Sequence, residues 1–183
     1  MRTFPENSKI PLNLRRLLCF SLCTISENLD NWKSNMYELT EEDEMNLTSG
    51  IAAFETKSFT SAKMFLSPLA EKGNPEAQYR MAIMAQNGLS MVENPLMAYK
   101  YMKGAAEAGL GLAKHGLGFM YLEGECVEQD SNKAIEWFRK AADEDELIGS
   151  MTTLGMIYFE GRGVEKNEEE GRKWYRKAGF DEF

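Results

Sequence analysis

Two stretches decide the fold, LGFMYLEGECVEQDSNKAIEWFRKAADED (residues 117–145) and LGMIYFEGRGVEKNEEEGRKWYRKAG (residues 154–179). They agree at Leu117 and Leu154, Gly118 and Gly155, Tyr121 and Tyr158, Gly124 and Gly161, and Trp137 and Trp174. A third stretch, MAIMAQNGLSMVENPLMAYKYMKGAAEAG (81–109), aligns with both and places Gly88, Ala98 and Tyr101 in register. Equivalent residues recur 36 and then 37 residues apart, and the extra residue falls in the Asp143–Gly149 connection. A fixed period of this length marks a chain built from stacked supersecondary units.

Each window reads as two helices. Leu117 and Tyr121, four apart, share one helical face, and Gly118 between them lets a neighbouring helix come close. Gly124 and Gly161 stand where the first helix should end. The second helix opens on a side-chain cap: Asn94 before Pro95, Asp130, and Asn167 with Glu170 three residues on, a capping-box arrangement. Ala134, Trp137, Ala141 and Ala142 then form a stripe of small and aromatic residues suited to tight antiparallel packing. One pair of such helices cannot bury this stripe, whereas stacked pairs can.

Upstream lies a fourth unit of different length. Gly50 to Ala62 spans 12 residues, while Ala82 to Ala98, Gly118 to Ala134 and Gly155 to Gly171 each span 16. Its spacing fits the tetratricopeptide repeat, with a turn four residues shorter. Asn74-Pro75 opens the unit that follows.

The pattern Leu-Gly-x-x-Tyr-x-x-Gly-x-Gly-Val, then Lys-Ala-x-x-Trp-x-x-Lys-Ala-Ala, resembles the Sel-one-like repeat, a longer relative of the tetratricopeptide repeat. Gly161, Gly163, Val164, Trp174, Lys177 and Ala178 carry the resemblance in the last window. Val127, Asp130, Lys133, Ala134, Trp137, Lys140, Ala141 and Ala142 carry it in the window before. The resemblance implies an all-α fold, a right-handed α/α solenoid of about four antiparallel helix pairs over residues 41–183. It also implies a protein-interaction role. Some cysteine-rich members of the wider family have been associated with β-lactam binding or hydrolysis, but those carry a disulfide pair in each repeat, and this chain has three cysteines in all.

Residues 1–40 stand outside the repeat. Arg15-Arg16 precedes the apolar run LLCFSLCTIS (17–26), the layout of a secretory signal or short anchor. The long basic region and the missing Ala-x-Ala site argue instead for an amphipathic capping helix starting near Pro11. The cap, the preferred reading, goes with a cytoplasmic protein, and the signal with a periplasmic or secreted one. The run is too short for a permanent membrane span.

Composition narrows the function. The net charge of −8 is concentrated in the repeats, because residues 1–40 carry five basic and four acidic side chains. An acidic body repels phosphate backbones, so nucleic acid is not an expected partner. Twelve methionines suit helical cores and adaptable surfaces. His115 is the only histidine, and Cys19, Cys23 and Cys126 show no zinc or disulfide spacing, so neither a His-based triad nor a metal site is expected. Cys126 reads as an inert turn residue, and the acidic runs 143–146 and 168–170 read as solvated helix ends. Trp137 and Trp174 read as core. No catalytic residue and no cofactor emerge.

What remains is a surface. If the pairs stack as in tetratricopeptide arrays, the first helix of each lines the concave face. By position that face holds Leu47, Ile51 and Phe54; Tyr79 and Ile83; His115, Phe119 and Leu122; and Met156 and Phe159. Glu44, Glu55, Glu76, Glu123 and Glu160 border it. An apolar trough with an acidic rim suits a peptide or protein with basic flanks. The expected function is a non-catalytic adaptor or scaffold, with an exported inhibitor or immunity-type protein as the alternative. Cover from the chain's own N-terminal segment or from a second copy is the competing use of the trough. Because terminal repeats need a polar cap, self-association through the C-terminal repeat is a further expectation.

Overall fold

The structure is a computed structural model and describes residues 39–180; the two readings of the N-terminal segment lie outside the described residues. Within them are eight α-helices and no strand: α1 (Glu41–Glu55), α2 (Phe59–Glu71), α3 (Pro75–Gln86), α4 (Pro95–Glu107), α5 (Gly111–Glu123), α6 (Ser131–Glu144), α7 (Ile148–Glu160) and α8 (Glu168–Lys177). They pack as four pairs, α1 with α2 through α7 with α8, and each pair stacks on the next through α2–α3, α4–α5 and α6–α7. This is the α/α solenoid that the repeat requires. None of the described helices is long and apolar enough to cross a membrane.

Local chemistry sets the helix ends. The Asn74, Asn94 and Asn167 side chains each accept a hydrogen bond from the backbone N–H three residues on, and Asp130 accepts from Asn132 and Lys133. Each satisfies donors that the first turn leaves unpaired. The reciprocal capping box forms at Thr40 and Asp43. At Asn167 only the asparagine half forms, and the Glu170 carboxylate accepts from Lys173 instead.

The long turn between first and second helices has a repeated backbone. Gly88, Gly124 and Gly161 are left-handed, and so are the residues two further on, Ser90, Cys126 and Gly163, with φ of 54°, 65° and 70°. Only the last unit meets the second requirement with glycine. The turn then closes on itself: the N–H groups of Asn94, Asp130 and Asn167 each donate to a first-helix carbonyl, Ala85, Tyr121 and Tyr158, at 2.8 Å. In the first pair the turn is shorter, with Lys57 left-handed and Ser58 N–H donating to the Ala53 carbonyl.

In three of the pairs a large second-helix residue lies across a small first-helix one. A Cβ on Gly50 would stand 2.6 Å from Leu66, one on Gly118 2.7 Å from the Phe138 ring, and one on Gly155 3.0 Å from the Tyr175 ring. The second pair places Ala82 and Met102 at the equivalent positions, both buried. The core runs along the stack in two clusters, one from Ala62 to Met120 and one from Leu122 to Trp174. Trp174 is buried as expected; Trp137 is only partly so, with the Lys140 ammonium 4.4 Å above its ring.

One polar link also closes the third pair. The buried Lys114 on α5 donates to Glu144 at 2.7 Å and Asp145 at 2.8 Å, so the acidic run there is not merely a solvated end. Burial alone would lower the Lys114 pKa, but these two hydrogen bonds outweigh it and raise it.

Gly118→Ala should destabilise the protein, because overpacking against the fully buried Phe138 ring costs about 1–3 kcal/mol while better helix propensity returns only about 1 kcal/mol. Gly155→Ala faces a half-buried tyrosine that can shift, and should lie closer to wild type. Denaturant unfolding measures both, and equal midpoints for wild type and Gly118→Ala would refute the close approach.

Candidate partner-binding face

The expected face draws on the first helices α1, α3, α5 and α7. Leu47 and Ile51 on α1, Tyr79 and Ile83 on α3, and Met156 on α7 are each half-buried. Phe54, also half-buried, packs edge-on to Phe59 with ring centres 5.8 Å apart. On α5, Phe119 is 36% exposed and stands edge-on to Phe138 at 5.1 Å.

Two expected members of this face point elsewhere. Leu122 is 3% exposed and belongs to the core, so it is closed to a partner. Phe159, at the matching place on α7, turns toward α8 and meets Tyr175 edge-on at 6.5 Å. Both lie four residues after the small residue of their helix, about 40° around from it, and so face the second helix. Conversely, Leu112, which is not among the expected members, is 45% exposed. It lies three and seven residues before His115 and Phe119, on their stripe, and that spacing was the available signal.

The acidic rim is partly neutralised. Arg80 on α3 pairs with Glu76 on its own helix, reaches Glu55 on α1 at 3.7 Å, and lies over the Phe54 ring at 5.9 Å. Arg162 pairs with Glu123 at 2.8 Å, tying the third unit to the fourth. Glu44 and Glu160 make no ion pair among the described residues. The charge that persists is asymmetric: the first helices carry eight carboxylates and only Arg80 and Lys114 as cations, whereas the second helices carry ten cations. Five of those eight carboxylates, Glu41, Glu42, Asp43, Glu44 and Glu55, are on α1.

The one histidine meets a serine: His115 Nδ1 shares a 2.8 Å hydrogen bond with the Ser150 hydroxyl. Ser150 is fully buried, so that hydroxyl is closed to a substrate and the pair fastens α5 to α7. The imidazole also stands edge-on to Phe119 at 4.9 Å and Phe138 at 5.3 Å. Cys126 is partly buried, and burial followed by the Glu125 charge pushes its thiol pKa up, away from the reactive thiolate. No group of three His, Cys, Asp or Glu converges as a metal site among the described residues.

A stack of helix pairs with this turn, cap and small-residue pattern is a repeat protein of the tetratricopeptide class. The Sel1 repeat profile matches residues 75–110, 111–146 and 150–179, and the chain belongs to the Sel1 repeat family. Such repeats serve generally as protein–protein interaction modules. A crystal structure of a Sel1 repeat protein from Oxalobacter formigenes is similar, with 30% identity and a TM-score of 0.66 over 75% of this chain and 54% of that one. A protective antigen of uropathogenic Escherichia coli with an SLR fold is also similar, with 30% identity and a TM-score of 0.68 over 84% of this chain and 32% of that one. The chain thus spans about half the length of the first relative and a third of the second. No curated protein matches the chain.

Burial holds the His115 pKa below its ordinary 6.5, so the unfolded chain takes up a proton first as the pH falls. The stability contributed by the neutral ring is complete above that value and is lost below it. Asp43, held low by Lys72, and Asp130, held low by the Lys133 backbone N–H, lose theirs only at more acid pH. Thermal melting should therefore fall between about pH 7 and pH 5, with a flatter profile for His115→Gln. An identical slope in that variant would assign the dependence to another group.

Proposed function

We propose that the protein is a non-catalytic adaptor that holds a protein or peptide partner along its first-helix face, the concave side of the solenoid. The observation that carries this reading is the exposed pair Leu112 and Phe119, set in a stripe of half-buried apolar residues. That stripe runs through Leu47, Ile51, Tyr79, Ile83 and Met156. The fold does not need these two side chains exposed, and apolar groups held open on a rigid helix are anchors for a partner. Phe54, His115 and Phe159 support the stripe from its inner edge, and Leu122 supports it from the core.

The partner's chemistry follows from the charge. Carboxylates outnumber cations on the first helices and crowd onto α1, so a segment with apolar anchors and Lys or Arg at one end fits the face. Its association should weaken with salt, since the rim is solvent-exposed.

Selection from a random peptide display library should enrich apolar segments flanked by Lys or Arg. The selected peptides should lose at least about tenfold in affinity on Leu112→Ser with Phe119→Ser, as expected for removal of two anchors. Thermal melts would confirm that the variant is folded. Enrichment of acidic peptides, or unchanged affinity in the folded variant, would refute the assignment of this face.

A further inference from the structure

Away from the first-helix face, apolar exposure is concentrated at the corner between α2 and the turn that enters α4. Val92 is 88% exposed, Leu96 81% and Met64 64%. Val92 helps to line a cleft of about 270 Å³ whose walls include Met91, Met97 and Tyr101. Met64 and Leu96 are chain neighbours of the lining residues Lys63 and Met97. The corner is joined as one piece, because the Thr60 and Ser90 hydroxyls share a 3.0 Å hydrogen bond between α2 and the turn.

The repeat supplies its own control. Where the second unit has Val92, the third and fourth have Glu128 and Glu165; where it has Leu96, they have Asn132 and Glu169. All six positions are exposed, and the backbone of the turn is the same in each unit. Packing within the repeat therefore does not require apolar residues here. Only the second unit has exchanged solvated side chains for apolar ones, beside a methionine-lined cleft that can adapt to what it meets.

Charge indicates the occupant. Lys63, Ser67 and Glu71 all line the cleft and fall four residues apart, so they form one stripe along α2. This stripe is basic at one end, small in the middle and acidic at the other. Neither Lys63 nor Glu71 makes an ion pair among the described residues, although most cations of the solenoid do. A stripe with opposite charges at its ends is complementary to itself when reversed. Such self-complementarity is what a two-fold contact between identical chains requires.

We propose that a second copy of this chain docks on this corner, with the two α2 helices antiparallel about a two-fold axis near Ser67. Lys63 of each copy then faces Glu71 of the other, and Val92, Leu96 and Met64 leave water on both sides. This surface is separate from the first-helix face, so both copies keep that face open and the assembly presents two of them. It is also separate from the C-terminal repeat.

Sedimentation of the full chain at tens of micromolar should give the mass of two chains. Val92→Glu with Leu96→Asn, which installs the residues of the third unit, should shift it to one chain while leaving the helical circular dichroism and melting temperature near wild type. Lys63→Glu and Glu71→Lys should each weaken the dimer about tenfold or more, and the double exchange should restore it. A monomeric wild type, a dimer that survives Val92→Glu with Leu96→Asn, or charge variants that fail to rescue one another would each overturn the proposal.

Discussion

The close approach of one large side chain to one small one is the constraint on which the solenoid rests. In three pairs Leu66, Phe138 and Tyr175 lie against Gly50, Gly118 and Gly155, and the second pair has Met102 and Ala82 at the matching positions of the sequence. Small residues let the two backbones come close enough for the larger side chain to lie across the first helix, and dispersion across that contact rewards an exact fit. The contact also fixes the rotation of the first helix about its own axis. Taking the direction of Gly118 as zero, Leu122 lies about 40° around the helix, His115 about 60°, Phe119 about 100° and Leu112 about 120°. Exposure rises in that order, from a buried Leu122 through a half-buried His115 to the open Phe119 and Leu112. A single steric contact thus selects the residues that α5 leaves exposed.

Charge is arranged around the same geometry. The first helices carry eight carboxylates against two cations, whereas on the second helices ten cations slightly exceed eight carboxylates, so the two sets of helices differ in charge. Where carboxylates from successive first helices would crowd together, Arg80 and Arg162 cross between units and relieve them. Lys114 instead ties the two helices of the third unit together, where its buried ammonium is tolerable because two carboxylates hold it. The two arginine links join neighbouring repeats, and in an array whose units touch mainly their neighbours such joints help it to act as one body.

Much of this architecture was legible in the residues. The 36- and 37-residue recurrence, the capping asparagines and aspartate, the helix-ending glycines and the shorter first turn all depend on neighbours within one unit, so each leaves a local signature. The candidate face was legible only in part. Spacing placed Leu47, Ile51, Tyr79, Ile83, Phe119 and Met156 on the first helices, but it assigned Leu122 to the surface and passed over Leu112. The difference is some tens of degrees of helix rotation, which periodicity does not resolve. The Ser150–His115 pair was not visible either, because its members come from different units and neither belongs to a recurring motif.

Residue pattern alone was enough to establish a stack of helix pairs, their number, their ends and the place where one pair is built differently. It could do so because propensity, capping and turn conformation act over a few residues. Packing decided which side chains the stack leaves open, which charges it neutralises and where an exposed apolar corner lies. Those outcomes depend on the distance between helices from different units, and that distance is set by side-chain contacts remote in the chain. The close fit of Gly118 beneath Phe138, twenty residues further on, joins the two levels: its spacing is written in the repeat, and its consequence for the exposed face of α5 appears only when the helices meet.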